Sequence, residues 1–111
     1  MNRQEIFTQV ATHLLTQKRR SVKNGICQYQ GPKGTSCAVG CLIPDEFYDP
    51  EIEDVHILYL KNYITLPDFF EEEIDTLSNL QDIHDNIHPR SWKKKLSEYA
   101  SENHLEMPIL K

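Results

Sequence analysis

Glycine is scarce in this chain, and every glycine falls in one place. All four lie between Gly25 and Gly40, a segment that also holds all three cysteines (Cys27, Cys37, Cys41). Basic residues are nearly missing from positions 44–88, where Lys61 stands alone against thirteen carboxylates. No apolar run approaches the ~18 residues that a bilayer-spanning helix needs. No apolar stretch follows Met1-Asn2-Arg3-Gln4-Glu5, so no signal peptide is expected. An odd number of cysteines without such a signal points to reduced thiols and a cytoplasmic setting. There is no glycine-rich phosphate fingerprint and no Gly-x-Ser-x-Gly elbow. Gly31-Pro32-Lys33-Gly34 is too constrained by proline to serve as a phosphate loop. Internal repeats, low-complexity tracts and linkers are also lacking.

What remains is an ordinary globular composition: 111 residues, 39% hydrophobic and 26% charged. That length suits one domain, residues 1–111, with a modest core. The net charge of −5 conceals a marked asymmetry, with +5 over residues 1–43, −12 over 44–88 and +2 over 89–111. The simpler expectation is that the basic ends pack near the acidic middle and neutralise it. The alternative is that the acidic middle faces a basic partner. Two dispersed basic clusters on a net negative chain argue against nucleic-acid binding.

Helical periodicity organises both ends of the chain. From Arg3 to about Arg19, Ile6, Phe7, Val10, Ala11 and Leu14 recur on one face. Asn2 and Glu5 are spaced as a capping box, and Lys18, Arg19 and Arg20 suit the negative end of the helix dipole. His13 flanks the apolar face. Pro44 to Tyr48 reads as one helical turn, broken by Asp49-Pro50. Glu51 to Asp54 is expected to be exposed, and Val55 to Ile64 fits either helix or strand. Leu66-Pro67-Asp68 starts the longest predicted helix, to about Ile87, with Phe70, Ile74, Leu77, Leu80 and Ile87 on one face and His84 among them. Glu71 to Glu73 form its solvated first turn, with Glu73 pointing partly toward the apolar face. Pro89 stops it, and Ser91 caps a last helix through Trp92, Leu96, Tyr99 and Ala100 to about Asn103. Lys93, Lys94 and Lys95 lie on different azimuths of that helix. The tail from Leu105 to Lys111 is irregular.

Within the central segment, Gln30 to Gly34 carries a turn signal, and Ile26 to Tyr29 suits a short edge strand. Thr35 or Ser36 would cap a helix holding Cys37 and Cys41 one turn apart, with Pro44 ending it. A buried strand is the competing reading. Gly40 costs ~1 kcal/mol in a helix interior, which points to a close backbone approach there. The string Gln30-Gly31-Pro32, Gly34 and Cys37-Ala38-Val39-Gly40-Cys41-Leu42-Ile43-Pro44-Asp45-Glu46 resembles the signature of a family of small bacterial, phage and mobile-element proteins. Leu14 to Gln17 and Leu80 to Asp85 extend that likeness along most of the chain. The resemblance implies a source but no activity.

Two chemistries are open to the cysteines and histidines. A thiol at the start of a helix is stabilised as thiolate, so Cys37 is a candidate nucleophile with His84 as base. Asp82 or Asn86 would then orient the base, and Gln30 would donate to an oxyanion. Alternatively, Cys37, Cys41, His84 and His88 provide two pairs of zinc ligands at helical spacing, with Cys27 as a further thiolate. The plainer expectation is that the thiols are small core residues and that His84 is buried and hydrogen-bonded. The resulting expectation is a mainly α (α-rich α+β) fold, with about three main helices around one core and a short hairpin or extended insert near residues 25–36. It would be a small cytoplasmic accessory or binding protein, needing no cofactor and acting through a protein partner or self-association. A Cys37/His84 hydrolase or transferase and a zinc-binding domain are the alternatives.

Overall fold

The first helix, α1 (Arg3–Gln17), begins where its sequence says it should. Asn2 Oδ1 accepts the Glu5 N–H at 2.8 Å, and Glu5 Oε1 accepts the Asn2 N–H at 2.9 Å. This reciprocal pair satisfies donors that the first turn would otherwise leave open. Lys18, in the left-handed region at φ 63°, ends the helix. The computed structural model of the protein describes residues 1–109.

Three helices form the frame: α1, α3 (Ile74–Asn86) and α4 (Trp92–Glu102), each touching the other two. A single-turn helix, α2 (Phe69–Glu72), precedes α3. The fold is therefore mainly α, with one small two-stranded sheet. Ile6, Phe7, Val10, Ala11 and Leu14 of α1 meet Leu77 and Leu80 of α3 and Trp92, Leu96 and Ala100 of α4 in one buried cluster. The remainder of the core comes from the irregular middle: Ala38, Val39, Leu42, Ile43, Ile52, Ile57 and Leu60. Five 3₁₀ turns carry the chain between Pro32 and Asn62.

Several local expectations need correction. The hairpin comes earlier than Gln30: β1 (Val22–Lys23) pairs antiparallel with β2 (Ile26–Cys27) around Asn24 and Gly25. Both turn residues have positive φ, 53° and 80°, as the tightest hairpin turn requires. The turn at Pro32–Gly34 exists as well, closed by a bridge between Gln30 and Ser36. Cys37 to Ile43 is neither an α-helix nor a strand but a turn running into a 3₁₀ helix at Gly40–Leu42. Neither Thr35 nor Ser36 caps it. The Cys37 sulfur takes that role, accepting the Gly40 N–H at 3.2 Å.

The long helix from Asp68 is broken at Glu73, whose φ of −119° and ψ of 33° are not helical. The break lets Phe69 and Phe70 both bury, which a continuous helix with one apolar stripe would not favour. It also turns Glu73 to Arg3 at 3.0 Å and to the Thr76 hydroxyl at 3.1 Å. Before α4, the His88 ring caps a 3₁₀ turn by accepting the Arg90 N–H, whereas Ser91 makes no side-chain cap. Residues 105–109 are irregular, tied to α1 through a two-way pair between Gln4 and Glu106. Residues 110–111 of the expected tail lie outside the described residues.

Candidate functional site

His84 sits in the last turn of α3 and is fully buried, against Trp92 of α4. The two rings stack with centroids 5.5 Å apart. Its Nε2 accepts the Ser21 backbone N–H at 3.0 Å, so that nitrogen bears no proton. Its Nδ1 therefore carries the proton and donates to Asp85 Oδ1 at 2.7 Å. Asp85 also accepts from Gln81 Nε2 at 2.7 Å, and Gln81 Oε1 takes the Val39 N–H at 3.0 Å. One hydrogen-bonded chain thus links the segment after α1, the end of α3 and the cysteine segment.

Arg20 completes this corner. Its guanidinium donates to the His84 and Ile87 carbonyls at 3.2 and 2.8 Å, and the Trp92 indole donates to Ile87 O at 2.9 Å. Carbonyls at a helix C-terminus lack internal donors and carry the negative end of the dipole. The cation expected to serve the end of α1 serves the end of α3 instead.

Cys27 joins the cluster from β2. Its sulfur, the Asp85 carboxylate and the His84 ring lie within 4.8 Å of one another, the one group of metal-competent side chains so close among the described residues. Burial first, and then the neighbouring Asp85 carboxylate, push the Cys27 thiol up to about 11. Burial pulls the Asp85 carboxyl upward, but hydrogen bonds from His84, Cys27 and Gln81 outweigh it, and the net direction is downward. Asp85 is thus the anion of the cluster, with the Cys27 thiol beside it.

The sequence-based candidates are distributed differently from either proposed constellation. Both His84 nitrogens are engaged, by Ser21 and by Asp85, which leaves none to deprotonate Cys37. The Cys37 thiol is 1% exposed, and burial lifts its pKa well above the ordinary thiol range, against the opposing Gly40 N–H. Burial likewise pushes Cys41 up to about 12, and its thiol donates to Ala38 O at 3.2 Å. Asp82 and Asn86 are exposed, so the residue that orients His84 is Asp85. Gln30 gives its backbone N–H to Glu53. His88 lies on the surface, in its own turn. Cys37, Cys41, His84 and His88 therefore do not converge as a ligand set.

Nor does the Cys27–His84–Asp85 cluster suit a metal. Ligation through Nδ1 would move the imidazole proton to Nε2, where the Ser21 N–H already points. A metal-bound histidine ordinarily donates its second N–H to an acceptor; here it would face a donor at 3.0 Å.

Glu53 is the principal residue that sequence reasoning missed. Expected on an exposed acidic stretch, it is half-buried and receives the Tyr29 and Gln30 N–H groups at 2.8 and 3.1 Å and the Tyr48 hydroxyl at 2.6 Å. Its neighbour Ile52 is fully buried. The signal available was that same apolar residue, set between Glu51 and Glu53. No protein-family model, curated protein or solved structure matches the chain.

The thiols set an alkaline limit to stability. In the unfolded chain they ionise near 9.0, whereas Cys27 and Cys41 in the fold hold their protons to about 11 and about 12. A raised folded pKa contributes stability that is complete below the unfolded value and is lost as pH rises toward the folded one. The melting temperature should therefore fall progressively above pH ~9. Cys41→Ala should flatten that fall. An unchanged melt from pH 8 to 10.5 would show that the thiols are not protected as described.

Proposed function

We propose that the chain is a small cytoplasmic binding protein whose acidic middle docks on a basic surface of a partner protein. The supporting observation is the division of its thirteen carboxylates between residues 44 and 88. Three are half-buried and hold the fold: Glu53, Glu73 and Asp85. The other ten are exposed, and among the described residues one of them is in an ion pair, Glu71 with Lys61 at 3.2 Å. Among the described residues, the basic ends form no ion pair with these ten. Arg3 reaches Glu73, while Arg20 turns to helix carbonyls. Uncompensated like charges destabilise a fold slightly through self-repulsion, and they accelerate encounter with a surface of opposite sign. The resemblance of the cysteine segment to mobile-element proteins supports a phage or mobile-element origin for such an accessory protein.

The test is capture from a bacterial cytoplasmic lysate on the immobilised protein. A parallel column carries a variant neutralised along the whole acidic middle at exposed positions: Asp45→Asn, Glu46→Gln, Glu51→Gln, Asp54→Asn, Asp68→Asn, Glu72→Gln and Asp75→Asn. The wild type should retain a discrete basic protein that elutes by about 0.5 M salt, where screening is nearly complete, and the variant should not. Equal retention on both columns, or retention indifferent to salt, would overturn the proposal.

A further inference from the structure

We infer that a groove between the 3₁₀ helix Ile57–Asn62 and the α2–α3 junction is an anchor site for a cationic amphipathic segment of such a partner. The inference rests on the reading of the acidic middle as partner-facing, and it adds where and how contact is made. The groove encloses about 550 Å³ and is lined by Ile57, Leu58, Ile64, Leu66, Phe70 and Ile74. That volume accommodates two or three large side chains, within the range of small binding pockets. Leu58 is 51% exposed, and Tyr59 and Tyr63 beside it are 58% and 60% exposed. Three large apolar or aromatic side chains presented within six residues are more than the scattered single exposures of an ordinary surface.

Charge selects the occupant. Asp68, Glu71 and Lys61 also line the groove, and the lysine is held by Glu71. Asp68, Glu72 and Asp75 are exposed on the same short stretch without an ion pair among the described residues. An apolar segment flanked by lysine or arginine would bury its hydrophobic side chains against Leu58, Phe70 and Ile74 and meet carboxylates at the rim. Nucleic acid would be repelled. A second copy docking through this same patch would bring two copies of its unpaired carboxylates Asp68, Glu72 and Asp75 into one interface, because a two-fold interface uses the same patch on both sides.

Two synthetic peptides of about 14 residues and equal leucine and lysine content separate these readings. One places leucine at helical spacing, and the other scrambles it. With isotope-labelled protein at about 50 mM salt, the amphipathic peptide should bind ~10-fold tighter than the scramble, with amide shifts concentrated in residues 57–74. Leu58→Asp should weaken it ~10-fold, and Lys61→Glu should tighten it; both positions are exposed enough to leave the fold intact. Glu46→Gln, outside the groove lining, should change binding less than ~2-fold. Equal binding of both peptides with shifts elsewhere overturns the groove while leaving the acidic recognition standing. Failure of both to bind overturns the two together. A dimer in sedimentation without peptide, with concentration-dependent shifts in residues 57–74, overturns the groove in favour of self-association.

Discussion

Gly40→Ala is expected to lower the melting temperature by at least ~10 °C, although it adds one methyl group. A Cβ at Gly40 would stand 1.9 Å from the Tyr29 carbonyl oxygen, 2.6 Å from its carbon and 3.0 Å from its Cα. These are backbone atoms, and they cannot swing aside as a side chain could. Tyr29 is also fixed on several sides. Its N–H goes to Glu53, its carbonyl receives the Cys37 N–H at 3.3 Å, and its hydroxyl donates to Val55 O. Overpacking of a well-fitted site costs ~1–3 kcal/mol and more where nothing can relax. For a chain of this length each kcal/mol moves the melt by roughly 3–6 °C. Gly31→Ala provides the contrast. Its Cβ would also meet atoms too closely, but the nearest are the Ser21 and Thr35 hydroxyl oxygens at 2.5 and 2.8 Å, which can rotate away. Gly31→Ala should therefore cost less than Gly40→Ala. Equal melts for Gly40→Ala and wild type would show that the approach of Tyr29 to Gly40 is looser than described.

Gly40 also shows what could be foreseen from sequence. A glycine where small apolar residues crowd together announces a close approach, because few other physical reasons place it there. The partner was not legible: Tyr29 lies eleven positions away along irregular backbone, and no periodicity connects the two. The same division holds across the chain. The α1 boundaries and core face follow from Asn2, Glu5 and the 3.6-residue recurrence of Ile6, Val10 and Leu14, all of them local signals. The break at Glu73 is decided by tertiary contacts, the joint burial of Phe69 and Phe70 and the pull of Arg3. Asn24-Gly25 was a local signal too, overshadowed by the richer Gly31-Pro32-Lys33-Gly34 turn a few residues later.

At the buried cluster, helical azimuth identifies His84 as inward-facing, and the structure has it fully buried. Its partners could not be read the same way. Asp85 lies on the flank of α3 and reaches the ring only because adjacent side chains can bend toward one another. Ser21 and Cys27 come from the loop after α1 and from β2, whose placement depends on the whole fold. Charge asymmetry was plain in the sequence, but among the described residues only Arg3 of the basic ends forms an ion pair with the acidic middle, at Glu73. Arg20 is occupied by carbonyls at the end of α3.

His84→Ala is expected to destabilise the protein by ~3–5 kcal/mol. Removing a fully buried ring leaves a cavity beside Trp92, and it strands the buried Ser21 N–H without an acceptor. With ~5–15 kcal/mol typical of the whole fold, that loss leaves the variant marginal. His84→Gln should recover part of it, since a glutamine oxygen can occupy the Nε2 position and accept from Ser21. Denaturant unfolding of the three proteins measures this order, and Ala equal to wild type would refute it. Two further readouts separate a structural His84 from a catalytic one. Alkylation of Cys37 at neutral pH should be slow in the wild type and no slower in folded His84→Gln, whereas a general base would make the wild type the faster. The acid limb should change as well. Asp85 has a lowered folded pKa, so its stabilisation is present above the unfolded value of 3.8 and is lost as pH falls below it. The His84 hydrogen bond is the foremost of the interactions that lower it. Without that donor the folded value rises toward the unfolded one, and less stability remains to be lost in acid. The His84→Ala melt should therefore fall less steeply than the wild type's below pH ~4. A steeper fall would mean that Asp85 draws its stabilisation from elsewhere.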